Sequence, residues 1–515
     1  MVYGSNCQIF EFLRQEMKIQ LRTVFCLLQA CFATSLGMID ARAFSLLGPY
    51  EDWMTPTNGF QLAGGVGGPM ILGAEYRWNV PVLTYSFDQS FLDFFGSNGV
   101  AAVESAIQIL NNLPPASQLD PATYPLDTSV MNYQAMAEDL IDLKSEALFL
   151  LLQQLGLAQP QRFMFCVHDF SVTAENTNAT IVLRNFDPFS LAVTNVRNGT
   201  LYTSNLTWQI SNGTQVDNVI ITAVPVNPLV PAETAVADGG VGASPGSFYT
   251  GLTEDDVGGL RYLLQTNNYN FETLLPDVHG AGTNADNYVN LALRGGADKI
   301  TFVREALDPI LGEFFTPVTN QFTDTYITNG MVMQQEVARV ISRPDILFAA
   351  ADLNPGIPYV PLYSNTGTTH WINNAALNGN PSGPGPGVIQ PPIAITFNKL
   401  ARQLASSGNY SDTIATDLSQ FWGSFDASTN APIVYPISQS GSGQTTVRMW
   451  LTIGSTQESF EWMPVGASGA AFAVQTSTDL ANWMTLFTVT NNGSVCTYFV
   501  YQPASTKRFY RLVPQ

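Results

Sequence analysis

Polar and apolar positions divide the chain into stretches of different period. Val80-Pro81-Val82-Leu83-Thr84-Tyr85-Ser86-Phe87 reads as a strand, and Val100 to Leu110 as an amphipathic helix closed by Pro114-Pro115. Tyr133 to Leu157 is expected to be one long helix. Its segment Ala147-Leu148-Phe149-Leu150-Leu151-Leu152 is apolar on every side, the mark of a central buried helix. Strand-like runs follow at Arg162 to Val167, Ala179 to Arg184, Thr200 to Ile210 and Asp217 to Val224, with Asn-Gly turns at 198–199 and 212–213. Thr253 is placed to cap a helix over Glu254 to Leu264, whose first three residues are acidic and suit the positive end of the helix dipole.

Beyond 266 the pattern predicts helices at Lys299 to Gly312 and Met331 to Leu353, the second restarted at Ser342 and Pro344. The run 378–387 is rich in Gly and Pro and reads as a linker. Short runs at Thr446 to Ile453, Ser459 to Pro464, Ala471 to Gln475, Met484 to Thr490 and Val495 to Tyr501 read as a β-sandwich. The expected fold class is therefore multidomain α+β. An α+β domain over 44–265 precedes a mainly helical region over 266–377, the 378–387 linker and a β-rich region over 388–515.

Composition changes the picture in one direction. Of 515 residues, 12% are charged and the formal net charge is -20. No Lys/Arg-rich run exists, which argues against a nucleic-acid partner, since phosphate binding needs a basic patch. Lys18 and Arg22 precede the apolar stretch Val24 to Ile39, and Ala41-Arg42-Ala43 fits an A-x-A cleavage site. Residues 1–43 are thus expected to be a signal peptide starting at Met17 behind an over-extended start, with the mature chain opening at Phe44. That implies a secreted or cell-surface protein, with no transmembrane segment after cleavage. Cleavage leaves Cys166 and Cys496, which read as buried small hydrophobes. Six N-x-S/T sequons, at Asn178, Asn198, Asn205, Asn212, Asn409 and Asn492, fit exposed loops.

Several chemistries fail at the level of residues. His168, His279 and His370 are too far apart in sequence for a local two-His metal motif, and H-E-x-x-H is absent. His279 beside Asp277 offers only a weak metal role. Gly242-Ala243-Ser244-Pro245-Gly246 matches G-x-S-x-G, but the residue after the serine must donate its N–H to an oxyanion and proline has none. Neither a Walker A motif nor G-x-G-x-x-G occurs, and the Gly64 to Gly68 cluster precedes no helix.

Two segments resemble the matrixin branch of the metzincin metallopeptidases. Arg77-Trp78, Leu83-Thr84-Tyr85 and the helix Ala101 to Leu110 look like the opening strand and first helix of such a catalytic domain. Gly251 to Leu264 resembles the closing helix. The family carries H-E-x-x-H-x-x-G-x-x-H on a helix between them. With Gly156 on the family's Gly, the resemblance puts Phe149, Gln153 and Gln159 at the three zinc-ligand positions and Leu150 at the general base. Phe and Leu neither ligate metal nor move protons. The tail from Val474 to Trp483 and Arg508 to Arg511 is similar to short C-terminal β modules on exported proteins of environmental bacteria.

The reading that follows is an exported non-catalytic binding or structural protein on a peptidase-like scaffold, with no cofactor and no catalytic or metal residues. Its partner would be an extracellular glycan or protein. An extracytoplasmic hydrolase built from distant carboxylates stays open. So does a glycan-binding surface protein using Trp422, Trp450, Trp462 and Trp483.

Overall fold

The computed structural model describes residues 43–515 except for several internal stretches, the longest being 354–369, 374–384, 398–420 and 437–445. Residues 1–42 lie outside the description, and with them the signal-peptide reading. The described chain mixes a few helices with many strands. The helices are α1 Gln89–Asn111, α2 Tyr133–Ala137, α3 Leu143–Gln154, α4 Pro160–Phe163 and α5 Glu254–Leu264. The strands used below are β1 Val82–Phe87, β2 Asn270–Thr273, β3 Val278–Gly280, β4 Leu291–Arg294, β5 Thr301–Arg304, β6 Val318–Thr328, β7 Met331–Ile341, β8 Ile346–Ala349 and β9 Ile393–Thr396. Among the described residues no helix is long and apolar enough to cross a membrane.

The centre is an all-parallel sheet in the order β5-β1-β8-β9, with Thr301 opposite Val82, Ile346 opposite Tyr85 and Ile393 opposite Ile346. Parallel strands need cover on their faces. Helix α1 packs against β1, β5 and β8, and α3 packs against α1. Between them runs an aromatic chain in which Phe87 stacks on Phe348 at 5.3 Å and Phe95 meets the edge of Trp422 at 5.9 Å. Trp422, 1% exposed, is therefore core and no part of a surface strip. The side chains of Trp450 and Trp462 lie outside the described residues.

The long helix expected over Tyr133 to Leu157 is broken in two. Asn132 caps α2 through the Ala135 N–H, Asp139 takes a left-handed φ of 56°, and Asp142 caps α3 through the Ser145 N–H. Side-chain caps at Asn132 and Asp142 define two helix starts, and Leu140–Asp142, ending at the second cap, pairs as a strand with Phe421–Gly423. By contrast α5 forms at the expected residues with a full capping box, Thr253 and Asp256 each bonding the other's backbone N–H. The segment Phe44 to Gly73, loop-like in sequence, contains a strand at Ser45–Gly48 paired with Gly68–Met70 and Leu157–Ala158.

The helical middle region is a correction. Lys299 to Gly312 contains β5 and a short strand at Leu307–Asp308, and Met331 to Leu353 holds β7 and β8. β6 and β7 form a hairpin in register from Val318–Ile341 to Thr328–Met331, turned by Asn329 and Gly330 at φ 50° and 74°. An Asn-Gly pair with both residues at positive φ is the preferred two-residue hairpin turn, and it overrides a helical reading of the flanks. With β2, β3 and β4 the hairpin makes an antiparallel sheet in the order β2-β4-β6-β7-β3.

Most of the 378–387 linker lies outside the described residues. Its last residue, Gly387, already opens the strand Gly387–Gln390, which pairs with Tyr76–Arg77, and β9 joins the central sheet. The described strands between Thr446 and Pro514 form two three-stranded sheets.

Candidate functional site

Helix α3 is buried on nearly every side, from Leu143 through Gln154. Its turn closes at Gly156, where φ is 107° and a Cβ would stand 2.5 Å from the Tyr76 carbonyl oxygen, so only glycine fits. The Trp78 indole N–H donates to the Gln154 carbonyl at 2.7 Å and fixes the same turn from the other side.

Two of the four positions that the matrixin resemblance singles out meet at one place. Phe149, 6% exposed, packs its ring under Gly239, where an added Cβ would come within 2.8 Å of the ring. Gln159 donates from Nε2 to the Asp238 carbonyl at 3.2 Å. Both therefore touch the turn Val236–Gly239, which lies over this end of the helix. Leu150 is fully buried in the main core. Gln153 is half-buried and makes no side-chain bond to that turn.

The turn is held by a charged cluster that sequence reasoning missed. Arg197, fully buried, pairs with Asp238 at 2.6 Å and Asp255 at 3.1 Å and donates to the Gln161 side-chain oxygen at 3.3 Å. Asp256 accepts from the Val236 N–H at 3.0 Å, the Ala237 N–H at 2.9 Å and the Thr253 hydroxyl at 2.7 Å. Asp238 accepts from the Gln161 N–H and, in the uncleaved chain, Asp255 accepts from the Ala43 N–H, both at 2.7 Å. The sequence presented Asp255 and Asp256 as charges suited to the positive end of a helix. In the fold both are buried, and the only signal available was an acidic triplet in a chain with few charges.

One guanidinium pairs with two of three buried carboxylates, and the balance shows in their protonation. Burial pushes Asp255 up to about 6 although Arg197 pulls it down. Burial also raises Asp238 and Asp256, against the pull of Arg197 on the first and of the Thr253 hydroxyl on the second. Burial depresses Arg197, but Asp238 and Asp255 outweigh it and hold the guanidinium above its ordinary value. At the far end of α3 the Asp142 carboxyl is raised by burial as well.

The remaining candidates stand apart. Exposed His168 stacks on Trp53 at 4.9 Å. His279 lies on the edge strand β3, and its neighbour Asp277 pairs with Arg339. Cys166 is a free buried thiol pushed up to about 12 by burial, as its packing role requires. The side chains of His370 and Cys496 lie outside the described residues. Trp483 is covered by the Arg511 guanidinium at 4.2 Å. Among the described residues no three His, Cys, Asp or Glu side chains converge as a metal site. Comparison with protein-family models, with curated proteins and with solved structures finds no match to this chain.

Proposed function

We propose that this is an exported, non-catalytic binding or structural protein built on a peptidase-like scaffold. The observation that carries the reading is the state of α3. At the positions where the matrixin resemblance expects zinc ligands and a general base, Phe149 is packed under Gly239, Leu150 is in the core and Gln159 is tied to the Asp238 carbonyl. A catalytic zinc needs protein ligands around an open coordination position. Here a buried turn occupies the approach to Phe149, and its ion cluster holds it shut. Support for the scaffold itself comes from α1 packing on β1, α3 packing on α1, and the capping box that starts α5.

The test is a peptidase assay on the purified full chain, using denatured casein and a mixed peptide library with and without a chelator. The expected result is no cleavage above background in either condition. Chelator-sensitive cleavage that follows the protein through successive columns would contradict the proposal.

A further inference from the structure

The cleft beside the long hairpin is built differently from the sealed helix. It has a volume of about 330 Å³ and lies between Gly295 to Asp298 on one side and Phe322 to Thr325 on the other, with Tyr269 at its rim. That is at the lower end of the roughly 300–1,000 Å³ common for ligand sites. Its origin is a strand that stops early. β4 pairs with β6 only at Leu293–Ile327 and Arg294–Tyr326. Past Arg294 the chain turns aside: the Gly296 N–H bonds the Gln265 carbonyl and the Asp298 N–H bonds the Leu264 carbonyl. Gly295 runs so close to Thr266 that a Cβ would stand 2.0 Å from its carbonyl oxygen.

The partner β6 continues. In an antiparallel ladder, successive residues direct their main-chain groups to alternate sides. Thr328 and Met331 flank the two-residue turn and are mutually bonded, so even-numbered residues of β6 bond β7 and odd-numbered ones face the opposite side. Ile327 uses that side to meet Leu293. The N–H and C=O of Thr323 and Thr325 face it with no backbone partner among the described residues. The buried Asn79 side-chain oxygen, lining the same cleft, also lacks a partner among the described residues. Open edges of this kind accept an added strand.

We infer that this cleft binds an extended polypeptide segment as an additional strand on β6, in the place left where β4 ends. Thr323 and Thr325 supply the main-chain hydrogen bonds. Tyr269, Phe322 and Val332 contact alternate side chains of the guest. Asp298 in the lining and a net charge of -20 on the chain favour a guest with basic side chains over an acidic one. The inference rests on the binding reading above. Cleavage of the bound peptide would sink that reading and leave the edge site standing, whereas failure to bind would do the reverse.

The probe is a fluorescein-labelled peptide of alternating valine and lysine, compared with the same peptide N-methylated at alternate residues, which lacks the strand-forming donors and keeps the charge. Fluorescence anisotropy on the full chain is expected to show saturable binding that N-methylation weakens by at least about tenfold, the loss of one or two hydrogen bonds. Hydrogen exchange read by mass spectrometry should find the Thr323 and Thr325 amides fast in the free protein and slowed by the peptide. Thr325→Pro, which removes the donor to a guest carbonyl and keeps the carbonyls that accept from the guest, should weaken binding of the unmethylated peptide several-fold; if that variant does not fold, Tyr269→Ala should weaken binding instead. Equal binding of both peptides, no binding, or amides already protected in the free protein by another segment or a second copy would each overturn the inference. So would binding of a neutral oligosaccharide at Tyr269 in place of the peptide.

Discussion

Two of the buried charged networks among the described residues are built on opposite balances. Beneath the antiparallel sheet, Arg77 pairs with Glu272 at 2.7 Å and Arg294 grips Asp324 through two bonds of 2.9 and 3.0 Å. Arg77 also donates to the Arg294 carbonyl, and Arg294 to the Glu272 carbonyl, so the two pairs form one unit with two cations and two anions. Over helix α3, Arg197 alone serves Asp238 and Asp255, with Asp256 beside them satisfied only by neutral donors. Burying ions costs several kcal/mol each unless partners compensate. The balanced unit meets that cost with charge. The unbalanced one, with fewer cations than carboxylates, relies more on protons, which makes the turn over α3 a pH-sensitive part of the fold, although burial raises the Glu272 and Asp142 carboxyls too.

The largest effect should come from removing the single cation. Arg197→Met leaves the Asp238 and Asp255 carboxylates buried without a counter-charge, and urea unfolding at pH 7 should show a loss of about 5 kcal/mol. Protonation relieves the strandings, so the loss should shrink at pH 4.5. An equal loss at both values would mean that the cluster is not charge-limited. In the balanced network Arg294→Met should cost about 3 kcal/mol, because Asp324 loses its counter-charge and three carbonyls lose a donor, with Gln335 still donating to Asp324 and to the Val289 carbonyl. Adding Asp324→Leu should recover part of that loss, since no buried charge is then left alone. A double variant less stable than the single one would argue that the pair is held by geometry and not by charge.

A smaller, pH-dependent effect isolates Asp255. Its carboxyl is raised from an ordinary value near 3.8 to about 6, so the folded state holds that proton more tightly than the unfolded state. The resulting stabilisation is fully present below the lower value and is lost as pH rises through the upper one. Wild-type stability should therefore carry a decline between pH 4 and 6, at most about 3 kcal/mol from this group, that Asp255→Asn lacks. Parallel curves for the two proteins across that window would contradict the assignment.

The sequence made parts of this legible and hid others for definite reasons. Helix α5 announced itself because Thr253 and Asp256 encode a local cap, and the uninterrupted apolar run in α3 announced burial. Strands such as Met484–Thr490 were readable because β-branched residues are bounded by turn residues. The middle region misled because Met331 to Ile341 lacks clean alternation: its first four positions are all exposed, and its strand state is imposed by the Asn329-Gly330 turn and by pairing with β6. The charged networks were invisible because they join residues far apart, 195 positions for Arg77 with Glu272 and 58 for Arg197 with Asp255. The open edge of β6 was hidden for a related reason. It is defined by where β4 leaves the sheet, and the Gly295-Gly296 pair that lets it leave reads in sequence as an ordinary turn.

The central proposal is that α3 is a closed structural helix at the position where the matrixin resemblance would place a metal-binding one. The most direct measurement is elemental analysis of the full chain purified without chelators and dialysed against buffer containing micromolar zinc, followed by metal-free buffer. The account predicts well under one zinc per chain, unchanged by Gln153→Ala or Gln159→Ala. One zinc per chain that either substitution removes would contradict it.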